Sequence, residues 1–412
     1  MPLSKLQFKP GINREGTNYS NEGGWFDGDK IRFRNGLPER IGGWTRVSNT
    51  QVTGTPRKIF DFVTLDSQNL LFIGTEQKVF LENAGTFNDI TPIRSTVSLG
   101  ANPVNTTGGA GSGVVTITTQ ASHAASTGDF VTLASLTATD GITAEQLNTE
   151  HKITSVPSTT TFTITTTGSA SSGSTAGGGS SGTAAFQIGV GLNSTVLGAG
   201  WGAGTWGRFT WGSAAGSLSG QTLRLWSVDN FGEDLLFNNM DGSIFYWDAT
   251  NGTSTRGVLL SSLAGASDVP IVARKLLVSD VDRHVIVFGT NPIGSATLDP
   301  LLIRFGSQES LTDFTPSAEN TAGDLRLSKG SEIITAIQTS RQILVFTDQS
   351  LYTMQFLGPP FTFGVSLLGD NIRIAGPNTA IAVNDVVFWM GQENFYLYDG
   401  RIQAIPCSVR DF

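Results

Sequence analysis

The feature that most restricts this chain is a short unit that recurs with no helical pattern between its copies. LLFIGTEQKVFLE at Leu70–Glu82 resembles LLFNNMDGSIFYWD at Leu235–Asp248. ILVFTDQSLYTMQF at Ile343–Phe356 and VVFWMGQENFYLYDG at Val386–Gly400 repeat it again. Each copy is an apolar run of strand length ending in an aromatic, a polar turn, and a second run that carries another aromatic. Phe72 to Phe80, Phe237 to Phe245 and Phe388 to Tyr396 share one spacing, and Phe346 to Tyr352 is two residues shorter. Asp241-Gly242 and Asp399-Gly400 read as hairpin dipeptides, because both central positions tolerate positive φ. HVIVFGT at His284–Thr290, followed by LLIRFGS at Leu301–Ser307, adds a hairpin with a longer loop. Hairpins in series build propellers, barrels or sandwiches. The expected fold is all-β with a β-propeller core, since each unit offers two faces to its neighbours and one chain then buries a ring of aromatics. A large β-sandwich is the alternative.

One segment breaks the pattern. From Val97 to Gln187 the chain holds five formal charges: Asp129, Asp140, Glu145, Glu150 and Lys152. Gly/Ser/Thr-rich stretches lie near its ends, TTGGAGSG at Thr106–Gly113 and GSASSGSTAGGGSSG at Gly168–Gly182, with the character of flexible linkers or loops. Between them, VVTITT, FVTLASL, KITSV and TFTITT alternate apolar and polar residues as half-buried strands do. Thr143 and Gln146 have capping-box spacing and predict a short helix over Thr143–Glu150. The expected organisation is residues 1–96 as N-terminal strands and the first part of the propeller, 97–187 as an inserted small β-domain, and 188–412 as the remainder of the propeller.

The search for chemistry returns little. Lys and Arg number 26 against 34 Asp and Glu, a net charge of −8. A chain so poor in cations cannot displace counterions over a large nucleic-acid surface. Cys407 is the sole cysteine, and His123, His151 and His284 are far apart in sequence, so neither a disulfide framework nor a zinc site is expected. Phosphate-loop, dinucleotide and nucleophile-elbow motifs are missing. Asp280 and Asp282 could begin a calcium loop, but the Gly and Glu that would complete it are not there. Asp27 with Asp29 and Glu233 with Asp234 are carboxylate pairs in turn-like contexts, and they carry no discriminating signal for glycoside hydrolysis. No catalytic, cofactor-binding or metal residue is therefore assigned, and no cofactor is expected. No apolar run approaches the roughly 20 residues of a membrane span, and no secretory signal is visible, so a soluble product of a cytoplasm is expected.

Two local features remain. WGAGTWGRFTWG places Trp201, Trp206 and Trp211 five residues apart, each followed by Gly. That spacing sends successive rings to opposite faces of an extended chain, so an irregular loop is expected. Trp201, Trp206, Arg208 and Trp211 form the candidate interface loop, because Trp and Arg are enriched where subunits meet. In GGWFDGDKIRFRNGLPERIGGW, Arg32 and Arg34 alternate with Ile31 and Phe33 to give a strand with one charged face, while Asp27, Asp29 and Glu39 dilute the positive field of Lys30 and Arg40.

These segments, together with LLIRFGSQESLTDFTPSAENTAGDLRLSKGSEIITAIQTSRQILVFTDQSLYTMQF, resemble the tail nozzle, or tail-hub, proteins of short-tailed bacteriophages, often labelled packaged-DNA stabilisation proteins. The resemblance covers Pro2–Ile93 and about Leu192–Phe412, and it does not depend on the Val97–Gln187 segment. It implies a propeller-containing, non-enzymatic virion subunit in a homo-oligomeric ring, a hexamer, below the head-to-tail adaptor protein. Such a ring closes the tail channel, retains packaged DNA and lets it pass during ejection. The implied partners are the adaptor, tail fibre or tail needle proteins, and double-stranded DNA held only by weak contacts, with no membrane anchor. Members of that family usually continue past a segment like Phe395–Pro406 with strands that complete the propeller, so the expectation here is either a truncated propeller, whose open blade edge needs a partner strand, or a ring closed differently. The competing readings are a receptor-binding tail spike or adhesin and a propeller glycosidase acting on bacterial surface polysaccharide.

Overall fold

A computed structural model describes residues 8–17, 19–43, 45–46, 48–194, 223–358 and 361–406. The chain is all-β, and five of its sheets are four-stranded antiparallel meanders whose strands follow one another in chain order, the arrangement of a propeller blade. Meander A is Pro56–Val63, Asn69–Thr75, Val79–Asn83 and Thr86–Asp89. Meander B is Trp226–Phe231, Asp234–Asn239, Ile244–Trp247 and Val258–Leu259. Meander C is Ala273–Val278, Val285–Thr290, Asp299–Phe305 and Gly323–Arg326. Meander D is Ile333–Gln338, Ile343–Thr347, Ser350–Gly358 and Thr362–Asp370. Meander E is Ala380–Val383, Val386–Met390, Phe395–Tyr398 and Ile402–Ile405. The chain divides into two compact units, residues 50–324, and residues 1–49 with 325–412.

In the first unit, the recurrent aromatics explain why the meanders stack. Phe72 of A lies 5.4 Å from Phe237 of B, which lies 5.5 Å from Phe245, and Phe62 meets Trp247 edge-on. Leu236 and Ile244, on the other face of B, join Leu276, Val285, Val287 and Phe314 in a second core shared with C. A strand in such a stack is apolar on both faces, and all six residues of Val285–Thr290 are buried. In the second unit Phe346 of D meets Trp389 of E at 5.3 Å, and Trp389 stacks on Tyr396.

Meanders A and D share a local device. Thr75 Oγ accepts the backbone N–H of Lys78 at 2.8 Å, and the Glu76 carboxylate accepts that of Thr55 at 2.6 Å. Thr347 Oγ likewise accepts the N–H of Ser350 at 2.8 Å, and Asp348 accepts that of Ser331 at 2.7 Å. A Thr-acid-Gln turn thus ties the second and third strands to the chain entering the first. Burial opposes the ionisation of both carboxyls, yet these hydrogen bonds hold them below the usual carboxylate range.

The hairpin turns differ from expectation. At Asp241-Gly242 only Asp241 has positive φ, and at Asp399-Gly400 only Gly400 does, so neither is a two-residue turn with both centres left-handed. Those turns occur instead at Asn35-Gly36, Ala84-Gly85 and Asn384-Asp385. The loops after Asn239 and Tyr398 are longer than two residues, which frees their second positions from the type I′ requirement.

The segment between meanders A and B forms two sheets of its own. One orders Glu150–Lys152, Phe130–Ala134, Gly182–Gln187 and Ile93–Gly100; the other orders Ser155–Ser158, Thr161–Thr165, Val114–Thr118, Val104–Asn105 and Ala176–Gly177. Val115, Ile117, Val131, Leu133, Phe162 and Phe186 fill the space between them. Its first and last strands pair with each other, so the chain enters and leaves through one ladder beginning at Ile93. The helix spans Ala144–Leu147, with both bonds of the Thr143–Gln146 capping box formed.

Phe237 touches Phe72, Trp226 and Phe245 and is fully buried. Replacing it with Ala should cost about 3–5 kcal/mol of unfolding free energy in a urea titration. A loss under about 1 kcal/mol would mean that the A–B ring contact does not hold these sheets together.

Candidate functional site

The first strands of A, B and C lie side by side, with that of B between the other two. Each carries charge: Arg57, Lys58 and Asp61 in A, Asp229 in B, and Arg274 and Lys275 in C. The Asp229 carboxylate accepts the backbone N–H of Val278 at 2.8 Å and of Asn230 at 2.9 Å. Burial pushes its pKa up to about 6 against those bonds; Asp280 adds to the push and Lys275 opposes it. Burial lowers the Lys275 ammonium to about 8, helped by the like charge of Lys58 and resisted by Asp229. Ser227 Oγ donates to the Leu276 carbonyl at 3.0 Å and stitches the same two strands. On the first strand of A, Ile59, Asp61 and Val63 are exposed. The result is a group of strands that carry both signs of charge, with Asp229 and Lys275 partly enclosed beside the exposed Ile59, Asp61 and Val63.

A second cluster fastens the inserted domain. Lys78 in meander A is almost wholly enclosed; its ammonium bonds Asp89 at 2.8 Å and also bonds Glu150 of the insertion. Arg256 reaches Asp89 at 3.4 Å, Glu150 at 3.5 Å and the Thr91 carbonyl at 2.7 Å, and Gln187 donates to Glu150. Lys78 also lies over the Phe130 ring at 4.6 Å. Burial works against the Asp89 carboxylate, but the bonds from Lys78 and Thr91 and the charge of Arg256 hold its pKa below the ordinary value.

The sequence-derived candidates are dispersed. Trp201, Trp206, Arg208 and Trp211 lie outside the described residues. Asp27 pairs with Arg14 at 2.5 Å, and Glu39 takes both Arg32 and Arg34, so one carboxylate offsets part of the N-terminal basic cluster. Glu233 accepts the N–H of Leu65, while Asp234 accepts the Tyr246 hydroxyl and the N–H of Ala249, so the two neighbours serve separate loops. His123 stacks on Phe186, His151 bonds the Leu147 carbonyl and His284 bonds Thr321, each in a buried place. Among the described residues no group of three or more His, Cys, Asp or Glu is placed to hold a metal ion. No helix there is long and apolar enough to cross a membrane. Sequence reading missed the Lys58, Asp229 and Lys275 set, because only the stacking of three sheets brings these residues together.

No family model matches the chain, and no curated protein matches it. Among solved structures it is similar to a phage phi92 endosialidase, at 9% identity and a TM-score of 0.24, over 88% of this chain and 47% of that one. The chain thus spans about half the length of that protein, and a likeness of this degree carries no argument about fold or function.

Two outcomes follow from the charges. Lys275 has a folded pKa of about 8 below its ordinary 10.5, so its contribution to stability is present above 10.5 and is lost as pH falls through 8. The wild-type unfolding free energy should therefore carry a rising component between those pH values that Lys275→Met abolishes; equal slopes in both proteins would show an ordinary lysine. Lys78→Met leaves Asp89 and Glu150 with Arg256 alone and should cost about 3–5 kcal/mol. Hydrogen exchange should then rise first at Glu150–Lys152, and unaltered protection there would remove the clamp.

Proposed function

We propose that the chain is a structural nozzle subunit in the tail of a short-tailed bacteriophage. It forms a six-membered ring below the head-to-tail adaptor, closes the channel around packaged DNA, and lets the DNA pass on ejection. Tail fibre or needle proteins are its other neighbours on this reading.

One observation carries the proposal. The stretches with nozzle-family resemblance, about 2–93 and 192–412, contain every strand of meanders A to E, while the segment outside them is a separate two-sheet body entered through one ladder. The resemblance therefore leaves out the segment that forms its own pair of sheets, while running through both compact units. The charge pattern agrees with it. A wall that DNA must traverse cannot bind phosphates strongly, and the chain combines a net charge of −8 with first strands of mixed sign.

Cryo-electron microscopy of the particle that contains this chain tests the proposal. Six copies around the tail axis beneath the adaptor are expected. Three copies projecting off the axis would overturn it in favour of a spike or fibre.

A further inference from the structure

Meanders A and B enclose a cleft of about 440 Å³ that the tail reading does not use. That volume falls within the roughly 300–1,000 Å³ of small-molecule sites. Its wall includes Asp66, Gln68, Asn83, Glu233, Trp247 and Thr253, drawn from the first turn and third strand of A and the first turn and third strand of B with the loop after it. Gly232 has a φ of +69° at the first central position of the two-residue turn between Phe231 and Asp234, where a type II′ turn requires it. That turn sets Glu233 at the cleft, and the Leu65 N–H at 3.1 Å fixes one of its oxygens.

The second observation concerns Trp247. Its side chain is 1% exposed, and its indole N–H has no hydrogen-bond partner. An unpartnered buried donor costs about 1–3 kcal/mol; Trp247 belongs to the cleft wall, and an acceptor that reached its N–H would remove that cost. The rest of the wall offers both kinds of group. Asn83 donates to Gln68 Oε1 at 3.3 Å, which leaves the Gln68 amide N–H groups turned to other partners. Glu233 keeps one oxygen beyond its bond to Leu65, and Asp66 adds a second carboxylate. The polar cleft between D and E is a contrast. There Gln342 already donates one N–H to Tyr398, and its oxygen accepts from both Thr353 and Gln355, so the acceptor side of its amide is filled.

We propose that the A–B cleft binds a neutral saccharide unit. Sugar hydroxyls donate and accept at once, as a wall of amides, carboxylates, a Thr hydroxyl and an indole N–H requires. Asp66 and Glu233 give the cleft two negative charges with no cation in its wall, which disfavours acidic sugars and phosphates. The proposal is independent of the tail reading, and either can fail without the other.

The test is saturation-transfer NMR and calorimetry on the full chain, with galactose, N-acetylglucosamine, maltotriose and chitotriose as probes and glucuronate as the acidic comparator. Saturable binding of at least one neutral probe is expected, with glucuronate at least roughly tenfold weaker. Tighter binding of a trimer than of its monomer would assign the cleft to a polymer, and equal binding to a free sugar. Trp247→Phe, which keeps a ring and removes the N–H, should weaken binding by roughly tenfold. Glu233→Gln keeps an acceptor for Leu65 and should narrow the discrimination against glucuronate without unfolding the chain. No binding of any neutral probe at up to roughly tens of millimolar, or equal binding of glucuronate, would overturn the proposal.

Discussion

The contact on which the rest of this structure depends is the meeting of aromatic rings across consecutive meanders. A four-stranded sheet with strands of about five residues buries too little to stand alone, so each meander must borrow its core from a neighbour. Phe72 against Phe237 in one unit and Phe346 against Trp389 in the other are that loan made specific. Because the rings sit at fixed places on the second and third strands, the turns between those strands are free to be polar, and the sequence repeat takes its form from this division. The first strands of A and B carry both rings and charge: Phe62 and Trp226 join the ring contacts while Lys58 and Asp229 lie on the same strands.

The inserted domain obeys a different rule. It has its own core, with Phe162 and Ile164 facing in and Thr161, Thr163 and Thr165 alternating outward. A body joined through a single ladder would swing on it unless something else held it. Lys78, Asp89, Glu150 and Arg256 supply that restraint, at the desolvation cost that buried ion pairs carry. A buried charge network is a poor source of stability, but it is direction-sensitive and fixes one orientation where apolar packing would tolerate several.

The all-β class and the strand–turn–strand units were legible in the sequence because period-2 alternation and aromatic spacing are local signals. The capping box at Thr143 was legible for the same reason. The turns were only partly so. Asp-Gly pairs suggested type I′ geometry, yet the loop lengths around Asp241 and Asp399 exceed two residues, and Asn35-Gly36, the stronger dipeptide, was passed over within a basic stretch. The Thr-acid-Gln turns at Thr75 and Thr347 looked like unremarked polar loops, because their partners, Thr55 and Ser331, lie about twenty residues upstream. Lys58, Asp229 and Lys275 were invisible as a set for a similar reason, since only the stacking of three sheets brings them together.

That set bears on how a wall made of these strands would treat a polyanion. On these three strands Arg57, Lys58, Arg274 and Lys275 stand with Asp61 and Asp229, so opposite charges partly offset one another within a Debye length, about 8 Å at physiological ionic strength. Burial weakens them further, by moving Asp229 towards its neutral form near pH 6 and Lys275 towards its own near pH 8. A phosphate backbone passing such strands would meet charge of both signs rather than one unbroken sign. Strong cations would hold the polymer in place by counterion release, and unopposed acids would bar its entry. On the tail-channel reading, a wall of mixed charge is therefore the condition for passage.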